Sequence, residues 1–201
     1  MRQARIKVKA ETGSAVYHCI SRTVNGERLF DDEAKELLRR QLRRIALYCG
    51  VEVLTYAIMS NHFHILVRVP KSRPVSDTEL LERYRILYPK PTRFQTAKFA
   101  TIASRLHAGG TVAEDWRAQQ IALMGDVSSF MKLLKQRFSI WFNRHHDRFG
   151  TLWAERFKSV LIESKRGVLR RVATYIDLNP VRANLVDDPK EYRFCGYAEA
   201  L

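Results

Sequence analysis

Cysteine is scarce in this chain. The 201 residues hold three, Cys19, Cys49 and Cys195, an odd number set far apart. That pattern fits neither a disulfide framework nor a Cys-x-x-Cys zinc site, so the three read as reduced packing residues. No apolar run approaches the roughly 20 residues that span a bilayer, so no membrane helix is expected. The start, residues 1–9, is basic with no apolar core behind it, so no secretory leader is expected either. A cytoplasmic, nucleoid-associated location is the expectation. Acids are also short: 21 Asp and Glu stand against 35 Lys and Arg, a formal charge of +14 with a pI near 10.0. The excess favours a polyanion, nucleic acid before membrane, because no amphipathic basic helix with a Trp/Leu face stands alone. Repeats and low-complexity tracts are missing too.

What remains is an ordinary globular composition, 46% hydrophobic, long enough for one domain over 1–201. Residues 16–24 are β-branched and aromatic and predict a first strand. After the Asn25-Gly26 turn, Asp31-Asp32 caps a helix to about Cys49, with Ala34, Leu37, Leu38, Leu42, Ile45 and Cys49 as its buried stripe. Gly50 ends it. Residues 51–59 are nearly all apolar and predict a central strand. A tight link at Ser60-Asn61 leads to an antiparallel neighbour at 62–69.

Residues 71–125 read as a helical insertion: a helix at 76–88, a mixed stretch at 89–111 broken by Gly109-Gly110, and a helix at 111–124. The strongest helix is 126–146, with Val127, Phe130, Leu134, Phe138 and Trp141 at helical spacing. A fourth strand follows at 156–163. Ser164 caps a last helix from 165 to about 178, which stops at Asn179-Pro180. Strand, helix, strand, strand, helix, strand is the ferredoxin-like, split βαβ order. The expected class is α+β, an antiparallel sheet with helices on one face and the last helix across the other.

The strand at 62–69 carries the chemistry. Alternate side chains face opposite ways, so His62, His64, Leu66 and Arg68 share one side, and Phe63, Ile65, Val67 and Val69 turn to a core. Two His two apart on a strand can hold one cation between neutral nitrogens. Tyr175 and Asn179 lie one turn apart on the last helix. Laid across the sheet, that helix brings the Asn179 amide oxygen beside the imidazoles as a third ligand and hangs Tyr175 next to the cation. Two nitrogens and one oxygen leave positions for water and phosphate, which suits Mg²⁺ or Mn²⁺ better than a closed zinc site. Taken singly, each residue has a plainer reading: polar strand residues, a packing tyrosine, a helix stop.

Asn61-His62-Phe63-His64-Ile65-Leu66-Val67 resembles the His-hydrophobe-His (HUH) motif of single-tyrosine transposases. Residues 175–183, Tyr-Ile-Asp-Leu-Asn-Pro-Val-Arg-Ala, resemble the tyrosine motif of their REP-associated branch (RAYTs). Tyr17-His18, Ser21-Arg22 and residues 150–159 look like that branch too. The resemblance covers 15–70 and about 126–197. It implies a metal-dependent endonuclease and strand transferase acting on single-stranded DNA beside a hairpin, such as a repetitive palindromic element, as a monomer or homodimer. It implies His62, His64 and Asn179 as metal ligands for Mg²⁺ or Mn²⁺, and Tyr175 as nucleophile. Candidate DNA contacts are Arg22, Arg68, Arg156, Lys158, Arg170, Arg171 and Arg182. Phe149 and Trp153 can stack on unpaired bases, though Trp153 reads first as core, and His145-His146 as the end of an exposed helix. The leading alternative is a catalytically inactive or domesticated DNA-hairpin-binding protein. A nickase of the three-His type and a structural zinc protein are weaker alternatives.

Overall fold

Asp31 begins the first helix by accepting a 2.8 Å hydrogen bond from the Ala34 amide, with Asp32 and Glu33 in the first turn, where the helix dipole favours negative charge. The computed structural model describes residues 6–201, so the first five residues of the basic start lie outside it. The elements are β1 (Ala15–Arg22), α1 (Asp32–Cys49), β2 (Glu52–Ile58), β3 (His62–Val69), α2 (Asp77–Ile86), α3 (Arg93–Ala108), α4 (Thr111–Ile121), α5 (Val127–His145), β4 (Lys158–Ile162), α6 (Arg166–Asp177), α7 (Asn179–Arg182) and α8 (Gly196–Glu199).

The four strands form one antiparallel sheet in the order β2-β3-β1-β4, the ferredoxin-like order. Phe63, Ile65, Val67 and Val69 are buried as their alternation requires. Tyr17 and Cys19 of β1 join them, while α1 and α5 pack together beneath. Trp153 is core: it meets Phe63 at 5.6 Å and Phe30 at 5.7 Å between ring centroids. The α5 stripe runs Val127, Phe130, Leu134, Phe138 and Phe142, so Phe142 takes the buried place expected for Trp141. Trp141 sits half-buried on the flank, stacked on His145 at 4.7 Å. All three cysteines are buried and no disulfide forms among them. Among the described residues no helix is long and apolar enough to cross a membrane.

Three local expectations change. The mixed stretch contains a full helix, α3, opened by a Thr92–Gln95 capping box. Its apolar stripe is only Phe99, Ile102 and Leu106, and the alanines and threonines around it give little contrast. Ser164 does not cap the last helix; Lys165 holds that position with no side-chain bond. Helix α6 ends just before Asn179-Pro180, as expected, but a short α7 follows at once, with Pro180 in its first turn, where its missing N–H costs nothing.

The insertion is tied to the end of α1. Tyr48 donates to Gln120 at 2.8 Å, the Gly125 amide donates to the Cys49 carbonyl at 2.9 Å, and Tyr84 collects Tyr88, Phe99 and Trp116 around its ring. At the other edge the tail covers β2: the Ile58 amide donates to Phe194, and the Tyr192 hydroxyl donates back to Ile58.

Gly50 turns the chain from α1 into β2 at φ +64°. A Cβ there costs about 1–2 kcal/mol in left-handed backbone strain. Gly50→Ala should lower the urea unfolding midpoint accordingly; an unchanged midpoint would contradict this account of the turn.

Candidate active site

Helix α6 crosses the second face of the sheet, over β2 and β3. Its seating follows from three successive residues about 100° apart around the axis. Ile176 points down and is fully buried. On one flank the Asp177 carboxylate accepts from the Thr55 hydroxyl of β2 at 2.5 Å. On the other flank the Tyr175 ring lies 6.0 Å from His64 and 6.2 Å from His18, edge-on to both. Tyr175 remains 41% exposed, so solvent and a large ligand can reach it. Burial raises the Asp177 carboxyl above its ordinary value, and the Thr55 hydroxyl offsets part of that.

The imidazoles are wired through their δ nitrogens. The Asn61 amide nitrogen donates to the Gly26 carbonyl at 3.0 Å, which turns its Oδ1 toward His62 Nδ1 at 2.6 Å. His62 Nδ1 therefore carries the proton, and Nε2 keeps a lone pair. His64 Nδ1 lies 2.9 Å from His18 Nε2, with the rings stacked at 5.1 Å. The β1–β3 register places Ile20 opposite His64 and His18 opposite Leu66, so the two His are diagonal neighbours on one face. His62 and His64 rings are 5.2 Å apart. Burial lowers all three imidazoles, His64 to about 3, and Arg22 adds to the effect on His62 and His64. All three are neutral near pH 7, the form that ligates metals.

His18 was not among the candidate residues. Its parity on β1 was visible, but the register that sets it beside His64 was not. Asp177 and Thr55 were missed for the same reason, since nothing in either segment announces the other. Asn179 turns its amide nitrogen back onto its own helix, to the Tyr175 carbonyl at 2.9 Å and Ile176 at 3.3 Å, which leaves Oδ1 on the other side. Among the described residues no group of three His, Cys, Asp or Glu has metal-holding spacing. A cation here would rest on two imidazole nitrogens and needs a further oxygen, such as Asn179 Oδ1 or water.

The cations divide. Arg22 pairs in register with His62. Arg170, Arg171 and Arg182 line a cavity of about 390 Å³ beside Tyr175. The Arg182 guanidinium lies over the Tyr175 ring at 4.8 Å. Lys158 stands in the same cross-strand row as Ile20 and His64, with its ammonium on Glu155 at 2.9 Å. Arg156 is exposed just before β4. Arg68 is not brought in. It lies six residues along β3 from His62, about 20 Å, and pairs with Glu52 at 2.8 Å. Phe149 is 94% exposed.

Residues 12–79, about a third of the chain, match the sequence family described as IS200-like transposases. The matched segment contains β1 and the His-Phe-His strand. The chain as a whole has the fold of a REP-associated tyrosine transposase. The solved structure of one "bound to a REP hairpin" covers 99% of this chain and 84% of its own, at 14% identity and a TM-score of 0.59. A Deinococcus radiodurans protein assigned as a transposase covers 88% of this chain and 96% of its own, at 16% identity and a TM-score of 0.40. No curated protein sequence matches. The family match contains the first of the two motifs, at 61–67, and not the second, at 175–183; the likeness of fold spans both.

Thr55→Val should remove one partner of the Asp177 carboxylate and leave the Tyr197 backbone amide, at a cost of about 1.5–3 kcal/mol for a hydrogen bond to a charged group. Hydrogen exchange should show lost protection concentrated in α6. A uniform loss across the sheet would contradict the anchoring role.

Proposed function

We propose that the chain is a metal-dependent nickase and strand transferase for single-stranded DNA next to a hairpin, working through a covalent phosphotyrosine. The observation that carries this reading is the approach of a half-exposed Tyr175 to two neutral imidazoles, with three arginines around it. DNA processing follows from the transposase family of residues 12–79, and a hairpin partner from the fold neighbour.

In this reading the arginines on α6 and α7 take the phosphates that flank the scissile bond, and Arg22 and Lys158 extend the cationic surface across the sheet. The Tyr175 oxygen attacks phosphorus. A P–O bond to tyrosine forms as the P–O3′ bond breaks; the phenol loses its proton to solvent and the departing 3′ oxygen takes one. The diester energy stays in the phosphotyrosine for rejoining. His62, His64 and Asn179 would hold the cation, and it would favour the phenolate and withdraw charge from the phosphate. His18 accepts from His64 Nδ1–H, which leaves His64 Nε2 with the lone pair and fixes the ring. The Arg182 cation over the ring holds Tyr175 in place.

The alternative, a DNA-hairpin-binding protein without catalysis, draws on the small number of metal-ligating groups at the site. The two readings part on one experiment. With hairpin-bearing single-stranded DNA and Mn²⁺, wild type should form an SDS-resistant adduct, and Tyr175→Phe should form none while still binding. An adduct that persists in Tyr175→Phe would refute the nucleophile; no adduct in wild type would leave the binding-only protein.

His18 has its own outcome. His18→Phe should weaken Mn²⁺ binding, read by calorimetry, by about 10–100-fold. Unchanged affinity would remove His18 from the support of the pair.

A further inference from the structure

Helix α3 of the insertion takes no part in the site described above. Its lower side, Phe99, Ile102 and Leu106, is buried against Tyr84, Tyr88 and Trp116. The opposite side faces solvent and has no packing partner. Sixteen residues of this helix carry Arg93, Lys98 and Arg105 and not one acid. The acids of the insertion that form ion pairs are engaged elsewhere: Asp77 with Arg117 at 2.7 Å, Glu79 with both Arg73 and Arg83 at 2.6 Å. Among the described residues, none of the three α3 cations has a carboxylate within ion-pair distance. Arg93 lies about 120–140° around the helix from Lys98 and Arg105, so the cations flank the exposed side; their charge is left uncompensated there, which is the electrostatic footprint of a polyanion site.

The shape of the face narrows the occupant. The three cations span about 18 Å of helix, at 1.5 Å per residue. Between them the exposed surface is Phe94 in the first turn and then Ala97, Thr101 and Ser104, which are short enough to let phosphates approach the helix closely beyond that turn. A membrane-binding helix needs an exposed apolar stripe, and here a lone Phe94 provides none. A major groove about 12 Å wide admits such a helix with cations reaching the strands on either side.

We infer that α3 is a second nucleic-acid surface, separate from Tyr175, and a docking face for duplex DNA. The choice of DNA rests on the reading of the Tyr175 site; the electrostatic footprint does not. Each phosphate neutralised on a duplex contributes about 0.9 to the slope of log affinity against log salt, so three cations contribute close to 3.

The test uses the full chain with Arg93, Lys98 and Arg105 all changed to Gln, whose side chains keep helix propensity on an exposed face. Binding is measured across salt for a blunt DNA duplex and for an unstructured single strand, with adduct formation at Tyr175 on a short single-stranded substrate measured in parallel. The duplex slope should fall by about 3, so that raising salt from about 50 to 200 mM weakens the variant about 40-fold less than wild type. The single-strand slope and the adduct should not move. An unchanged duplex slope overturns the inference, as does an equal fall on both nucleic acids, or a larger loss on anionic vesicles than on the duplex. If wild type forms no adduct but the duplex slope still falls, the reading of Tyr175 fails and the α3 surface stands.

Discussion

One contact governs the candidate site, the seating of α6 on the β2–β3 half of the sheet. Helix α6 alone is short, with three arginines and one lysine on or beside its first turns, and has little reason to be helical in water. Ile176 goes fully into the sheet and Leu169, Val172 and Ala173 go in part, which supplies the burial that holds it. The Thr55–Asp177 hydrogen bond then sets its rotation about its own axis. Tyr175 cannot reach the imidazoles under any other rotation, because it lies about 200° around the helix from Asp177. The sheet face gains as well, since Leu66, Ala57 and the imidazoles would otherwise be open to water.

Burial creates the chemistry it covers. The same desolvation that costs free energy when an imidazole is enclosed keeps His18, His62 and His64 neutral, with their ε or δ lone pairs available. Each δ nitrogen of the His-Phe-His pair is held by a partner from another segment, Asn61 from the preceding turn and His18 from β1. A cation at this place would meet rings whose orientation is already fixed. Arginines outside the covered zone supply attraction for phosphate without crowding it.

Strand and helix order were legible in the sequence because alternation at 62–69 and the stripes of α1 and α5 are strong. The approach of Tyr175 to His64 could be read from the order of elements as a split βαβ unit, but its second ring neighbour is His18 and not His62. Register was not legible. It decides that His18 stands diagonal to His64 and that Arg68 ends at the far side of β3 beside Glu52, and no local pattern encodes it. The third helix of the insertion escaped because alanine and threonine blur its period. Asn179-Pro180 does end α6, but the short α7 that begins there was not legible, since proline is tolerated in a first turn.

The central claim is spatial: a phenol on α6 shares its immediate surroundings with a cation held by β3. Paramagnetic broadening measures this directly. With fluorotyrosine incorporated and the Tyr175 resonance assigned through Tyr175→Phe, added Mn²⁺ should broaden that fluorine signal before those of the buried Tyr48 and Tyr84, and His62→Ala should abolish the effect. A Tyr175 signal that stays sharp while Mn²⁺ binds, or that broadens equally without His62, would contradict the account.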